Sequence, residues 1–469
     1  MKNLKCSIVV SALALLVACG GGGEAAQVAP LPTPEKLPGV QWELPVPPSG
    51  LKYTLNSNNI SQDLNARRIH LASLTEQSRR KFCDTTNVDI NGGYWDSDGV
   101  IKHLPQNKVS SVFYPTPLKY IDWTTNQKKD ISGFALFYQQ TAQQRDAQLW
   151  FAFRDLIAGQ RALDAIKLWA SQGAVESCLG DAGGSCYHGY RFASSTLHTL
   201  DMLRDHPGFT QQYFSEVKPW FVKLMTMLKV LPRPLDSSWF PKPGNLLDPE
   251  NESFLLIPPP LETPASCSTG PCGFSNHYAL RGQLAMSWAA FTGQHDLFDY
   301  SIRFVFGRSL AQIRADGSIV AEIQRENYGL WYSNYHIGNM VMTAEIAAQH
   351  GHDIYSKKNI VGASLHDAVS FLVRASTDFS LVDRYRGKNC TTPSGTAHLG
   401  CLPSTNTAQE MRWLNGEFVG MSPVAWVESY VSRFPNLPVT AKLKEWIKDK
   451  RPLMDDMNGM GSCLFASYD

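Results

Sequence analysis

The chain has 469 residues, and its 43 Lys+Arg against 42 Asp+Glu leave a formal net charge of +1. So balanced a composition carries no electrostatic footprint for nucleic acid, and an anionic partner must find positive charge concentrated locally in a cleft. Hydrophobic residues make up 43%, enough to bury one large body or two smaller ones.

Lys2 and Lys5 precede the apolar run SIVVSALALLVA (7–18). That run is too short to span a bilayer, so residues 1–18 read as a signal peptide. Leu16-Val17-Ala18-Cys19 closes it in a pattern that resembles a bacterial lipobox. The resemblance implies cleavage before Cys19, lipidation of its sulfur, and residence as a periplasmic or outer-membrane lipoprotein that meets the membrane only through this anchor. The alternative is an ordinary secretory signal with an incidental cysteine. Residues 19–50 are rich in Gly and then Pro, with no hydrophobic period, and read as a tether. The glycine run lacks the strand and the Lys-Ser/Thr of a phosphate loop.

Beyond Cys6 and Cys19, eight cysteines remain: Cys83, Cys178, Cys186, Cys267, Cys272, Cys390, Cys401 and Cys463. An even number in an exported chain points to disulfides. Three close pairs sit in Gly/Ser/Pro/Thr-rich loops, Cys178 with Cys186, Cys267 with Cys272, and Cys390 with Cys401. Joining the remaining two, Cys83 and Cys463, would staple an N-terminal extension to the C-terminus. There is no CxxC pair, so zinc is the weaker reading and no metal is expected.

Residues 51–130 form that extension, with a helix expected near 60–82 and irregular structure after it. From Ile131 the apolar residues recur at three- and four-residue spacing through about ten amphipathic helices in successive pairs, up to residue 450, with a tail over 451–469. The class is all-α. An array of helical hairpins must close or curve to bury its faces, and curvature leaves a concave groove suited to a polymer.

Two polar-aromatic clusters lie in this region. In RENYGLWYSNY (325–335), a continuing helix would put Arg325 and Tyr332, seven residues apart, on one face, with Tyr328 and Tyr335 close by. A cation beside a phenol favours its ionised form, which can act as base and then as acid. An aromatic stripe that merely packs, with Arg on its rim, is the competing reading. Asn276-His277 opens a helix. It can be an N-cap with a satisfied first-turn histidine, or, at the positive end of that helix, a site for a carboxylate. His350-Gly351-His352-Asp353 reads as a polar loop after a helix rather than a metal half-site. No GxSxG elbow marks a serine hydrolase. Of twelve tryptophans, Trp169, Trp288 and Trp331 could stack on sugars or fill the core.

Taken together, FSNHYALRGQLAMSWAAFTGQHDLFDY and DGSIVAEIQRENYGLWYSNYHIGNMVMTAEIAA resemble the alginate lyase domain of the family-5 polysaccharide lyases. That family has an Asn-Asn-His-x-Tyr-Trp motif opening a helix, a DLFDW helix start, a DxG turn, and an E-L-K-R…Y-H-N-Y segment. The counterparts are Ser275-Asn276-His277, Asp296 to Tyr300, Asp316-Gly317, Glu322 with Arg325, and Tyr332-Ser333-Asn334-Tyr335. The sequence departs from the family at Ser275, Tyr278-Ala279-Leu280, Glu326 and Ser333, which bears on the sugar more than on the chemistry.

The resemblance implies an (α/α) toroid or incomplete α/α barrel over 131–450. It implies an enzyme, a polysaccharide lyase without cofactor, acting as a monomer on an anionic polysaccharide. Tyr332 is then the catalytic tyrosine, and Arg325, Asn276 and His277 neutralise the uronate carboxylate. Tyr328, Trp331 and Tyr335 are the candidate substrate-binding aromatics, and Lys119-Tyr120 is a candidate for the family's basic and aromatic lid.

Overall fold

The computed structural model describes residues 46–47, 49–56, 64–85, 93–95, 101–103, 132–174, 187–228, 230, 275–323, 325–383, 385, 409–415, 423–455 and 461–466. All lie in one compact unit, Lys36–Asp469. The predicted signal peptide, Cys19, most of the tether, Lys119-Tyr120 and the three loop pairs of cysteines fall outside the described residues.

The expected N-terminal helix is two, α1 (Leu64–Ser73) and α2 (Glu76–Cys83). Thr75 separates them because its hydroxyl accepts the Ser78 N–H at 3.2 Å and caps α2. A short antiparallel hairpin follows where irregular structure was expected, β1 (Gly93–Trp95) with β2 (Ile101–His103) and Tyr94 opposite Lys102.

Among the described residues the main body is built of helices. Its first part comprises α3 (Ser132–Phe153), α4 (Leu156–Gln172), α5 (Tyr187–Met202) and α6 (Gln211–Met227). Next come α7 (Asn276–Thr292), α8 (His295–Tyr300), a π-helical turn (Ser301–Phe306), α9 (Gly307–Ala311) and the single turn α10 (Val320–Ile323). The long α11 (Gly329–Gln349) leads to α12 (Leu365–Ala375), α13 (Ser380–Asp383), α14 (Arg412–Asn415), α15 (Trp426–Arg433), α16 (Thr440–Ile447) and α17 (Ser462–Phe465).

Local chemistry sets many of these boundaries. Asp155 caps α4 by accepting the Ile157 and Ala158 amides, and Gly173 ends it in the left-handed conformation. Ser364 and Asp367 form a capping box on α12.

One row of helices runs α3, α5, α7, α11, each packed on the next; α4 packs on α3 from outside that row and on α6 in turn. This inner-and-outer pairing of hairpins is the layering of an α/α toroid. Helices α7 and α11 are buried along nearly their whole length. Their apolar residues are spread around the helix rather than along one stripe, as suits a position inside the protein. The core is aromatic: the Phe221 and Trp288 rings stack at 5.1 Å, and Trp169 lies 4.9 Å from Phe192. Trp169 and Trp288 are therefore core residues.

Segments near both ends of the described residues are tied down. The segment 52–56 is held by side chains that accept its successive amides. Asp299 takes those of Lys52 (3.1 Å) and Tyr53 (2.9 Å), His295 Nδ1 that of Leu55 (3.0 Å), and His350 Nδ1 that of Asn56 (3.1 Å). His352 Nε2 meets the amide and the carbonyl of Thr54 at 3.3 and 2.8 Å. The His350–Asp353 loop is thus a clasp for the chain. At the other end, Cys83 and Cys463 form a disulfide, the pairing expected from the sequence. Beside it Arg67 donates to the carbonyls of Ser462, Cys463 and Ala466.

Candidate active site

Helix α7 begins without a side-chain cap: Ser275 holds the N-cap position in extended backbone and makes no capping bond. The expected cap, Asn276, is instead the first helical residue. Its backbone N–H, one of the unpaired amides at a helix start, donates to Glu322 Oε1, and its Nδ2 donates to Glu322 Oε2 at 3.1 Å. The positive end of α7 holds a carboxylate of the protein itself, that of Glu322. A buried carboxylate needs several donors, and a helix N-terminus supplies them at fixed positions.

The route of the chain brings Glu322 there. Asp316-Gly317-Ser318 makes a tight turn in which Asp316 Oδ1 accepts the Ser318 N–H at 3.0 Å. Gly317 sits at φ +92°, where a Cβ would lie 2.2 Å from the Asp367 carbonyl, so only glycine fits. The turn leads into α10, and Glu322 faces inward, fully buried. Burial pushes its carboxyl up, but the His336 hydrogen bond, the Arg325 charge and Asn276 together hold it below the usual carboxylate range. His336 Nδ1 donates to Oε1 at 3.2 Å, and Arg325 Nη1 stands 3.5 Å from Oε2.

The helix expected to run unbroken through 325–335 is interrupted. Arg325 precedes a 3-10 turn, Glu326–Tyr328, and α11 starts only at Gly329. The break follows from crowding: a Cβ at Gly329 would lie 2.9 Å from the Ile323 carbonyl, so the end of α10 rests directly on the start of α11. Gln409 Oε1 then caps α11 by accepting the Leu330 N–H at 3.2 Å. Arg325 and Tyr332 still meet, because the turn folds Arg325 back: its Cζ lies 3.6 Å from the Tyr332 ring centroid. The cation is over the ring face.

Three of the residues picked out from sequence, with Glu322 between them, therefore lie at one place. Asn276, Glu322, Arg325 and Tyr332 form a continuous chain of contacts, and His277 follows Asn276 on α7. Arg325, Tyr332 and His277 are part-exposed, whereas Asn276 is buried. Among the aromatic candidates, Tyr328 is part-exposed and packs at 5.8 Å on Trp331 and 6.1 Å on Tyr332. Trp331 and Tyr335 are buried, 6.3 Å apart, and belong to the core.

Sequence reasoning assigned no role to two other residues of this segment. Asn334 ties α11 to α15, its Nδ2 donating to the Pro423 carbonyl at 3.0 Å and its Oδ1 accepting from Trp426 Nε1 at 2.8 Å. His336 backs Glu322. Its spacing of four from Tyr332 was the available signal, since such residues share a helix face.

Residues 264–380 match the alginate lyase family. An alginate lyase of Pseudomonas syringae pv. tomato is 25% identical over 222 residues, 47% of this chain and 50% of that protein; the chain thus matches about half the length of that curated relative. The fold is similar to that of alginate lyase A1-III from Sphingomonas species A1, with a TM-score of 0.56, 18% identity, and 87% of this chain and 95% of that one covered. A tyrosine-to-phenylalanine variant of alginate lyase A1-III complexed with a tetrasaccharide gives a TM-score of 0.57 at 17% identity, covering 90% and 99% of the two chains. The chain accordingly matches the alginate lyase family over 264–380 and shares the α/α-toroid fold of the alginate lyases to which it is similar.

Proposed function

We propose that this chain is an exported polysaccharide lyase that cleaves an anionic polyuronate, poly-β-D-mannuronate before others, by syn β-elimination between C4 and C5. The observation that carries this reading is the contact chain from Asn276 through Glu322 and Arg325 to Tyr332, with His277 beside it. The family match and the alginate lyase of Pseudomonas syringae support the substrate class.

The chemistry asks for what these residues offer. The C5 proton of a uronate is barely acidic until the adjacent carboxylate is neutralised and the aci-carboxylate dianion is stabilised by fixed donors and a cation. Arg325 and His277, both part-exposed, meet the carboxylate, and the buried Asn276 stands behind them. Tyr332 takes the C5 proton and returns one to the glycosidic oxygen leaving C4, while Arg325 holds positive charge against the ring on which negative charge develops. Tyr328 is the aromatic that faces sugar, with Trp331 and Tyr335 packed behind it. One tyrosine serving both steps requires the proton and leaving group on the same face, which mannuronate and glucuronate share and guluronate does not. Lipidated at Cys19, the enzyme would act at the periplasmic or outer-membrane surface.

The test is incubation with polymannuronate, polyguluronate and glucuronan, read at the ultraviolet absorbance of the unsaturated product. Absorbance should rise with polymannuronate, less with glucuronan, and not with polyguluronate. A larger rise with glucuronan would reassign the substrate. Silence with all three would leave a polysaccharide-binding protein on a lyase scaffold.

A further inference from the structure

We infer that Glu322, anchored by Asn276 and His336, is the positioning residue of this site and acts through Arg325; the inference rests on the lyase reading above. Three observations lead to it. Glu322 is fully buried, yet it stays a carboxylate because every neighbour that reaches it is a donor or a cation: the Asn276 amide and Nδ2, His336 Nδ1 and Arg325. Asn276, with 1% of its surface exposed, spends its backbone N–H and a side-chain N–H on Glu322 rather than on solvent. Arg325 keeps 21% of its side chain exposed and is the one member of the cluster in contact with both Glu322 and Tyr332.

A carboxamide has an acceptor edge and a donor edge of nearly equal size. Glu322, which accepts only, selects the donor edge of Asn276 and locks it. His336 is locked likewise: Nδ1–H donates to Glu322, its buried Nε2 has no hydrogen-bond partner among the described residues, and turning the ring over would put a carbon where Nδ1 stands and lose the bond. With Asn276 and His336 both held, the Glu322 carboxylate has one fixed orientation, and its Oε2 anchors Arg325 above Tyr332. Asn276 is by this account a positioning residue rather than a direct ligand of the uronate.

A double-mutant cycle decides the point. Glu322→Gln keeps the shape but sets an amide donor against the donors of Asn276, His336 or Arg325. It should lower kcat/KM on the cleaved polymer about 10²-fold, the scale of an ångström misplacement of a reacting group. Arg325→Ala should cost at least as much, and the double variant should be within about threefold of Arg325→Ala alone, because groups acting as a unit are not additive. Multiplying losses would overturn the inference.

His336 supplies a second arm should Glu322→Gln fail to fold. His336→Asn keeps a donor at the place of Nδ1 and should retain most activity, whereas His336→Leu should lose it as Glu322→Gln does. Equal activity in the two His336 variants would also overturn the inference. Wild-type protein inactive on every uronan refutes the lyase reading; active wild type with an additive cycle refutes only the positioning role.

Discussion

The Arg325 guanidinium carbon lies over the Tyr332 ring, 3.6 Å from its centroid, although a 3-10 turn and the start of a helix separate the two in the chain. Cation and phenol are thus coupled by tertiary placement. Removing the phenol oxygen alone leaves this stacking intact. Tyr332→Phe should keep the thermal midpoint of the wild type and lose about 10²–10⁴ of the lyase rate, the usual contribution of a positioned acid-base group. Full activity in that variant would remove Tyr332 from the mechanism.

Arg325→Lys is the complementary change. Lysine keeps the charge but not the planar fork that reaches Glu322 while stacking on a ring. We expect the rate to fall about tenfold or more with the fold intact. Arg325→Ala should in addition cost about 1–3 kcal/mol in urea unfolding, because Glu322 then loses a charged partner. If lysine matched arginine in rate, the stacked geometry would be irrelevant to turnover.

The disulfide between Cys83 and Cys463 closes a loop with a sequence separation of 380. Reduction, or Cys83→Ala with Cys463→Ala, should lower stability by about 2–5 kcal/mol. Chemical denaturation with and without reductant measures this directly, and an unchanged midpoint would show that the contacts of Arg67 hold the C-terminus unaided.

Acid should destabilise the protein in a definite window. Burial pushes the His198 imidazole down to about 3. Burial, followed by His352 and His295, brings His350 down to about 4. Both rings serve the fold as neutral groups, His350 by accepting the Asn56 amide and His198 beside the Gln283 amide at 3.1 Å. Below the ordinary value of about 6.5 the unfolded chain binds protons that the fold refuses, so stability is complete above that pH and is lost as pH falls toward 4 and then 3. Urea midpoints should decline steadily over this range, with a shallower slope for His198→Gln. Amide exchange of residues 51–56 should quicken before that of the core, since Asp299, His295, His350 and His352 hold that segment. A midpoint independent of pH from 6.5 to 4 would contradict the assignment.

Gly317→Ala probes the turn that delivers Glu322. With φ at +92° and the Asp367 carbonyl 2.2 Å from the added methyl, the cost should reach about 1–3 kcal/mol or more in thermal unfolding. A smaller loss would mean that the turn can shift without disturbing α10.

Periodicity in the amino-acid sequence was sufficient for an all-helical body, since apolar residues at three- and four-residue spacing can bury a face only as helices. Residue types and spacing offered Asn276-His277 and Arg325 with Tyr332 as candidates, and the resemblance to the family-5 polysaccharide lyases gave them roles in eliminating a uronate proton. Local spacing failed where long-range contacts decide conformation. The close approach of Ile323 to Gly329 breaks the helix expected through 325–335, and nothing within that stretch announces it. Nor could spacing reveal that the start of α7 is filled by Glu322, 46 residues further along the chain. A helix end needs an anion, but its source depends on which segment folding brings there. The sequence determined the helices and the residue types of the site; the tertiary structure alone decided that a buried carboxylate joins them, because burial and partnership depend on residues distant along the chain.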